Sequence, residues 1–444
     1  MSPPGAANRG WRALIPRSSV SPAAGALAIY TLLLISRLPE LFPAIGFFRP
    51  MIPLALVTIA LAWALPRTRQ HAVLAAPESR AVLAMFLLAV ASIPTSYWPG
   101  ASFRFVFFNF SKTLLFFFLL LYCIRTLTQL RYLVLALVGA IALLGIGVLL
   151  LNVHERARIT GTYDPNDLAF VVTCALPVAV VLLLAERGFS RYAMIPVIML
   201  GLVSIIATKS RGGFIVLLVV GAIILGKLPA RVRLVQTGLA IGAVVVFSLF
   251  APQSYWDRVG SMWSDAAATG EGSRDAYLNE GFSVRRRVWT TGIEMMLEHP
   301  ILGVGAAAFA PAAVGRESDN IGYKGAHNSF IQVGAELGLL GLALLVYLLY
   351  RAIRNCRLVI RLTRSVPELR YQMWIAHGLE AALYGYIVGG AALNFGYSTI
   401  LYYLVGTSVV LKWVTVRDRA RSEGRPSPQP ERFAGSVPWW KAPR

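Results

Sequence analysis

Charge is what this sequence has least of. Asp, Glu, Lys and Arg make up 14% of its 444 residues and hydrophobic residues 57%, a balance that excludes an ordinary soluble globular domain. Acidic residues are scarcer still, 21 against 42 Lys and Arg, which gives a net charge of +21. No stretch gathers carboxylates densely enough to suggest a cage for a divalent ion. The three cysteines, Cys123, Cys174 and Cys356, lie in or beside apolar runs without metal-ligand spacing, so neither a disulfide framework nor a thiolate site is expected. The first apolar run lacks a small-residue cleavage site after it and is expected to remain a helix. No clear internal repeat is present.

What is there in quantity is apolar sequence. Runs near the ~20 residues needed to cross a bilayer recur from end to end. They predict an all-α polytopic membrane protein of about twelve transmembrane helices, near residues 22–36, 49–65, 80–97, 108–124, 131–152, 168–186, 192–208, 213–229, 233–251, 331–350, 372–394 and 398–414. A surplus of positive charge also suits nucleic acid, but here its placement decides against that partner. Arg9, Arg12 and Arg17 precede the first run, and every second connection is basic: Arg67, Arg69 and Arg80, then Arg125 and Arg131, then Arg187 and Arg191. The series goes on through Lys227, Arg231 and Arg233 to the Arg351–Arg364 group. This positive-inside pattern predicts two cytoplasmic termini in a bacterial inner membrane, with the other connections periplasmic. The expected organisation is a cytoplasmic segment (1–21), nine membrane helices (22–251), a large periplasmic loop (252–330), three more helices (331–414) and a disordered basic tail (415–444) whose charges lie near anionic lipid.

The long loop is the obvious place for chemistry, because connections between packed helices are usually far shorter. From Val284 to Leu297 it places Val288, Ile293, Met296 and Leu297 at helical spacing, which predicts an amphipathic helix on the membrane surface, ended by His299-Pro300. The following "GVGAAAF" neither follows a strand nor opens a βαβ unit and supports no dinucleotide site.

Three outward places carry costly charges. In "TKSRGG", Lys209 and Arg211 occupy a hairpin of a few residues between apolar helices; such charges face a cavity or snorkel to headgroup phosphates. In "SVRRRVW", Arg285, Arg286 and Arg287 point about 100° apart on a helix, so at most one or two serve a ligand and the rest form a basic patch. In "AHNSFIQ", Ser329 and Gln332 have capping-box spacing, and Asn328 is itself a good cap residue. His327 therefore lies just ahead of a helix N-terminus, where anions are favoured. Guanidiniums that bind phosphate in bidentate fashion, with a histidine that exchanges protons near neutral pH, suit a diphosphate ligand.

At this point the residues resemble a family. "SRGGFIVLLV", "RRRVWTTGIEMMLEHPILGVGAAAF" and "AHNSFIQVGAELGLLGL" are similar to successive signatures of the O-antigen ligase and O-antigen polymerase superfamily, in that family's order, and "GTYDPNDLAFVVTCALP" adds a fourth. The resemblance covers residues from about 160 to 350. It implies an inverting, metal-independent glycosyltransferase without a cofactor, working at the periplasmic face on a glycan carried by undecaprenyl diphosphate, with catalytic residues Arg211, Arg285 and His327. Arg286, Arg287, Asn166, Lys209 and Asn328 are the implied substrate contacts; Asn166 in "DPND" reads equally as an Asx turn before a helix. Glu336, a little over two turns on from His327, is either functional or paired to a neighbouring helix, and His299 reads as structural. His327 would orient the attacking sugar hydroxyl while the arginines neutralise the departing diphosphate.

Within the family the expected activity is an O-antigen ligase, with lipid A-core as acceptor. The rivals are an O-antigen or exopolysaccharide polymerase and a protein O-glycosylation ligase. A flippase or transporter of lipid-linked sugar is the alternative from another class, disfavoured by the absence of a repeat and by candidate residues gathered at one face.

Overall fold

The computed structural model describes residues 20–65, 73–150, 163–227, 276–316 and 325–424, with the backbone alone at 41, 43, 211 and 276–284. The predicted helix at 233–251, the tail beyond 424 and part of the long loop lie outside the described residues. All regular structure among the described residues is helical: α1 (Pro22–Ser36), α2 (Met51–Trp63), α3 (Pro77–Ala91), α4 (Pro99–Cys123), α5 (Leu127–Leu150), α6 (Pro165–Ala185), α7 (Phe189–Ala207), α8 (Arg211–Lys227), α9 (Ala276–Glu298), α10 (Phe309–Val314), α11 (Ser329–Thr363), α12 (Arg370–Gly390) and α13 (Thr399–Ser422). Six of these, α4 to α7, α11 and α13, are long and apolar enough to cross a membrane.

Several boundaries differ from the sequence reading, each for a physical reason. α4 starts at Pro99, ahead of the apolar run, because Pro is favoured in the first turn of a helix, and it contains a π-turn at Val106–Phe110. α11 runs on to Thr363 because its later basic residues are ion-paired or exposed rather than helix-ending. α13 extends to Ser422, so residues 415–422, expected in the tail, are helical. α9 buries Val288, Thr291 and Met295, whereas Ile293 and Leu297 are exposed. The apolar face predicted from Val288, Ile293, Met296 and Leu297 thus mixes two sides of the helix: one packs on α11 and the other is exposed.

Lipid tails are as apolar as leucine, so packing rather than water exclusion must hold these helices together. Small residues supply the close approach. A Cβ at Gly213 of α8 would lie 2.5 Å from Ala169 of α6, and one at Gly389 of α12 would lie 2.4 Å from Phe170 of α6. These contacts draw α6, α8 and α12 together, and α13 runs through the middle with Tyr402 and Tyr403 fully buried. Several of the charges that enter the bundle are paired. Glu78, wholly buried at the start of α3, accepts from Arg351 Nε and Asn355 Nδ2, each at 3.0 Å, with Lys412 Nζ at 3.7 Å. Arg131 binds Glu186 through two N–H groups at 2.7 and 2.6 Å. Lys227, the last residue of α8, meets Glu380 at 2.5 Å.

The break in α11 determines the geometry of the long loop. Gly338 takes φ 69° and ψ −173° inside the helix, a conformation open to glycine alone at little cost. Unwinding there frees backbone groups that lipid cannot satisfy. The turn after α9 takes them: Val304 N–H donates to Ala335 O at 2.8 Å, Gly305 N–H to Glu336 O at 3.0 Å, and Leu339 N–H to Pro300 O at 2.8 Å. Gly303 and Gly305 of "HPILGVG", both at positive φ, are needed for this approach; a Cβ on Gly303 would lie 2.3 Å from the Glu336 carbonyl carbon.

Candidate functional site

The hairpin between α7 and α8 is three residues long, Thr208 to Ser210. Ser210 Oγ accepts from Gly213 N–H at 3.2 Å, capping α8, and its hydroxyl donates to Asn166 Oδ1 at 2.9 Å. Asp164, not Asn166, is the N-cap of α6, its Oδ1 accepting from the N–H groups of Asn166 and Asp167 at 2.7 and 2.9 Å. That leaves the Asn166 side chain to tie the starts of α6 and α8 together. Just ahead of α6, burial pushes the Tyr163 phenol up to about 12, opposed by the Arg37 guanidinium 4.6 Å from its ring centre. Tyr163 stays neutral and donates to Ile35 O at 3.2 Å.

At this end of the bundle lies a cavity of about 210 Å³. Its lining includes Asn166 from α6, Lys209 and Ser210 from the hairpin, Gly212 and Gly213 from α8, Arg285 from α9 and Leu393 after α12. Three of the residues singled out in the sequence, Asn166, Lys209 and Arg285, thus meet across long sequence separations. Two are cationic, and among the described residues no carboxylate lines the cavity. All three arginines are exposed, and of the three Arg285 lines the cavity while Arg286 and Arg287 do not. Arg211 opens α8 between Ser210 and Gly212; its side chain lies outside the described part.

His327 is not in the lining but is fastened beside it from two directions. On one side Trp289, one turn after Arg285, donates its indole N–H to Ala326 O at 2.9 Å. On the other, Ser329 Oγ donates to Leu393 O at 2.6 Å and accepts from Phe395 N–H at 2.8 Å. Leu393 is itself a lining residue, and Trp289 shares its helix with the lining residue Arg285. Ser329, read in the sequence as the capping residue, is therefore a bridge to the α12–α13 connection. The N-cap of α11 is Asn328, whose Oδ1 accepts from Phe330 and Ile331 N–H at 2.9 and 3.2 Å. Two of the N–H groups expected to attract an anion at this helix end are thus already satisfied.

Backbone strain marks the same places. Among the described residues only five other than glycine have positive φ, and two are Lys209 (50°) and His327 (47°); such strain collects where the surroundings fix a side chain for use. The sequence reading missed Ser210, Phe170 and the small residues Gly389 and Ala392 that complete the cavity wall. The paired glycines of "YIVGGAAL" were the one available signal. Glu336 is buried at the helix break, its Oε1 accepting weakly from Phe309 N–H at 3.4 Å. His299 is exposed, with its N–H donating to Met295 O at the end of α9.

Residues 196–346 match the family model described as O-antigen ligase. No curated protein matches the chain. The matched region begins within α7, ends within α11 and takes in Lys209, Arg211, the arginine triplet and His327, while Asn166 precedes it. It supports an activity of O-antigen ligase or polymerase type and a membrane location. Through this segment, which carries Lys209, Arg285 and the histidine loop, the chain is similar to the O-antigen ligase family.

Proposed function

We propose that this protein is an inverting, metal-independent glycosyltransferase of the bacterial inner membrane. It moves a glycan from undecaprenyl diphosphate to an acceptor hydroxyl at the periplasmic face, with lipid A-core as the acceptor of an O-antigen ligase. The observation that carries this reading is the cavity: two cations from distant parts of the chain, Lys209 and Arg285, line it together, with no carboxylate among its described lining residues, beside the fastened His327 loop. Fixed cations in a water-poor site stabilise the charge that grows on a diphosphate leaving group. Arg211, which opens α8 between the lining residues Ser210 and Gly212, is assigned to the same task on the family resemblance. His327 accepts or orients the proton of the attacking hydroxyl. Attack opposite the leaving group inverts the anomeric centre. The basic end of the bundle, around Lys227 and Arg131, is then cytoplasmic.

The test is transfer by purified protein given an undecaprenyl-diphosphate glycan with lipid A-core, a second lipid-linked repeat, or a protein acceptor in parallel. Undecaprenyl diphosphate released together with glycosylated lipid A-core supports the reading. Product only in the second or third arm makes the chain a polymerase or a protein ligase. Movement of the intact lipid-linked glycan across a vesicle without cleavage makes it a transporter. His327→Ala and Arg211→Ala are each expected to abolish transfer while leaving insertion intact.

A further inference from the structure

A single stretch of chain, residues 393–395 between α12 and α13, brackets His327. Two positions after the histidine, Ser329 Oγ donates to Leu393 O at 2.6 Å and accepts from Phe395 N–H at 2.8 Å. Two positions before it, Gly325 lies so close to Asn394 that a Cβ there would be 2.2 Å from Asn394 Nδ2. The same stretch also closes the cavity, through Leu393. How the histidine loop sits against the cavity therefore depends on how firmly these three residues are held.

Phe395 is held by three different helices. Its N–H goes to Ser329 of α11, and its carbonyl accepts from the Tyr386 hydroxyl of α12 at 2.8 Å. Its ring lies 4.4 Å, centroid to centroid, from that of Phe170 on α6. Phe170 is itself a lining residue, one turn after Asn166 and on the same face of α6. The Tyr386 ring packs on Phe170 as well, at 5.6 Å. Gly390 leaves room for the crossing: a Cβ there would lie 3.4 Å from Ser329 Oγ and 3.6 Å from Tyr386 Cε1. Ser329 and Tyr386 are both wholly buried, so water does not replace a bond that either one loses.

We propose that Ser329 and Tyr386 are positioning residues for His327, acting through Phe395, and that together they set the reach between the imidazole and the cations of the cavity. A general base has to come within hydrogen-bond reach of the hydroxyl it serves, and a misplacement of ~1 Å costs up to roughly 100-fold in rate. Removing the Tyr386 hydroxyl frees one group, the Phe395 carbonyl. Removing the Ser329 hydroxyl frees two, the Leu393 carbonyl and the Phe395 N–H, so the serine has the larger effect. Both act on Phe395, so their effects overlap instead of multiplying. The proposal rests on the glycan-transfer reading above for the task of the histidine, but not for the hold on its loop.

The experiment reads the two separately. Full-length protein in nanodiscs is assayed for transfer from the undecaprenyl-diphosphate glycan, and the rate at which diethyl pyrocarbonate acylates His327 is followed by mass spectrometry, with exposed His299 as internal reference. Tyr386→Phe is expected to lower kcat about tenfold and Ser329→Ala about 100-fold, with the donor KM unchanged and the double variant no slower than Ser329→Ala. In both single variants the His327 acylation rate should change by at least about threefold, the effect of one lost hydrogen bond, while that of His299 stays constant. Tyr403→Phe is the control. It removes an equally buried tyrosine bond, to Leu133 O of α5 at 3.2 Å, and should lower Tm as Tyr386→Phe does without moving kcat or the His327 rate. An unchanged kcat or an unchanged His327 rate in Tyr386→Phe and Ser329→Ala overturns the proposal, as does an equal effect of Tyr403→Phe, which means general loosening. Shifted His327 rates in a protein whose wild type transfers no glycan leave the hold on the loop standing and sink the transferase reading.

Discussion

Trp289 donates its indole N–H to the carbonyl oxygen of Ala326 at 2.9 Å, which ties the helix bearing Arg285 to the residue before His327. The tie is one of several along α9 and α11. A Cβ on Gly292 would lie 2.4 Å from Ile331, and one on Gly334 would lie 2.5 Å from Met296 Sδ. Arginine and histidine are thus carried by one two-helix unit, set against the α6–α8 wall that holds Asn166 and Lys209.

Replacing Trp289 by Phe keeps most of the buried ring and removes the hydrogen bond. A net loss of ~1 to 1.5 kcal/mol in positioning corresponds to roughly a tenfold fall in kcat for transfer. Circular dichroism should show unchanged helix content. Unaltered transfer would mean that the tie does not position His327.

The arginine triplet offers an internal control. Arg285 lines the cavity, while Arg286 and Arg287 do not. Arg285→Ala is expected to lower transfer by about 100-fold or more, the usual effect of removing one charge-stabilising donor. Arg286→Ala and Arg287→Ala should each stay within about threefold of wild type, since neither lines the cavity.

Two glycines should respond in opposite ways. At Gly338, φ 69° and a Cβ placed 2.4 Å from Pro300 O make alanine both strained and clashing; thermal unfolding in detergent should show a loss of ~2 kcal/mol or more. At Gly212 an added Cβ meets nothing within 4 Å. Gly212→Ala should fold with an unchanged Tm, and any loss of transfer would come from filling the cavity it lines.

Glu78 probes the bundle away from the cavity. Glu78→Ala leaves Lys412, almost fully buried, without its carboxylate, and breaking a buried ion pair from one side costs ~3 to 5 kcal/mol. Differential scanning fluorimetry should show a large fall in Tm, while transfer per folded molecule at low temperature stays near wild type.

The parts legible in the sequence were those set by solvent and local chain chemistry. Long apolar runs had to become helices, because a backbone in lipid satisfies its own hydrogen bonds only in that form or in a closed barrel. Asp164, Asn328 and Ser210 end up as caps because short polar side chains at helix starts take up free N–H groups. The costly cations at Lys209 and Arg285 could be picked out for the same reason that they meet: a charge near lipid needs a cavity or a partner. Less legible were roles that depend on what lies across a contact. Ser329 read as a cap from its spacing, yet the α12–α13 connection supplies it with Leu393 and Phe395 instead. Ile293 and Leu297 read as a packing face, yet α11 covers Val288 and Met295.

The sequence by itself determined that this protein is a helical bundle in a membrane, and which few charges had to be accounted for there. It did not determine which of three consecutive arginines lines the cavity, or that "HPILGVG" fills the gap opened at Gly338. Those follow only from the tertiary arrangement. Helix periodicity gives a residue's direction around its own axis, whereas the neighbour that direction meets is decided by how closely the glycine-bearing helices approach.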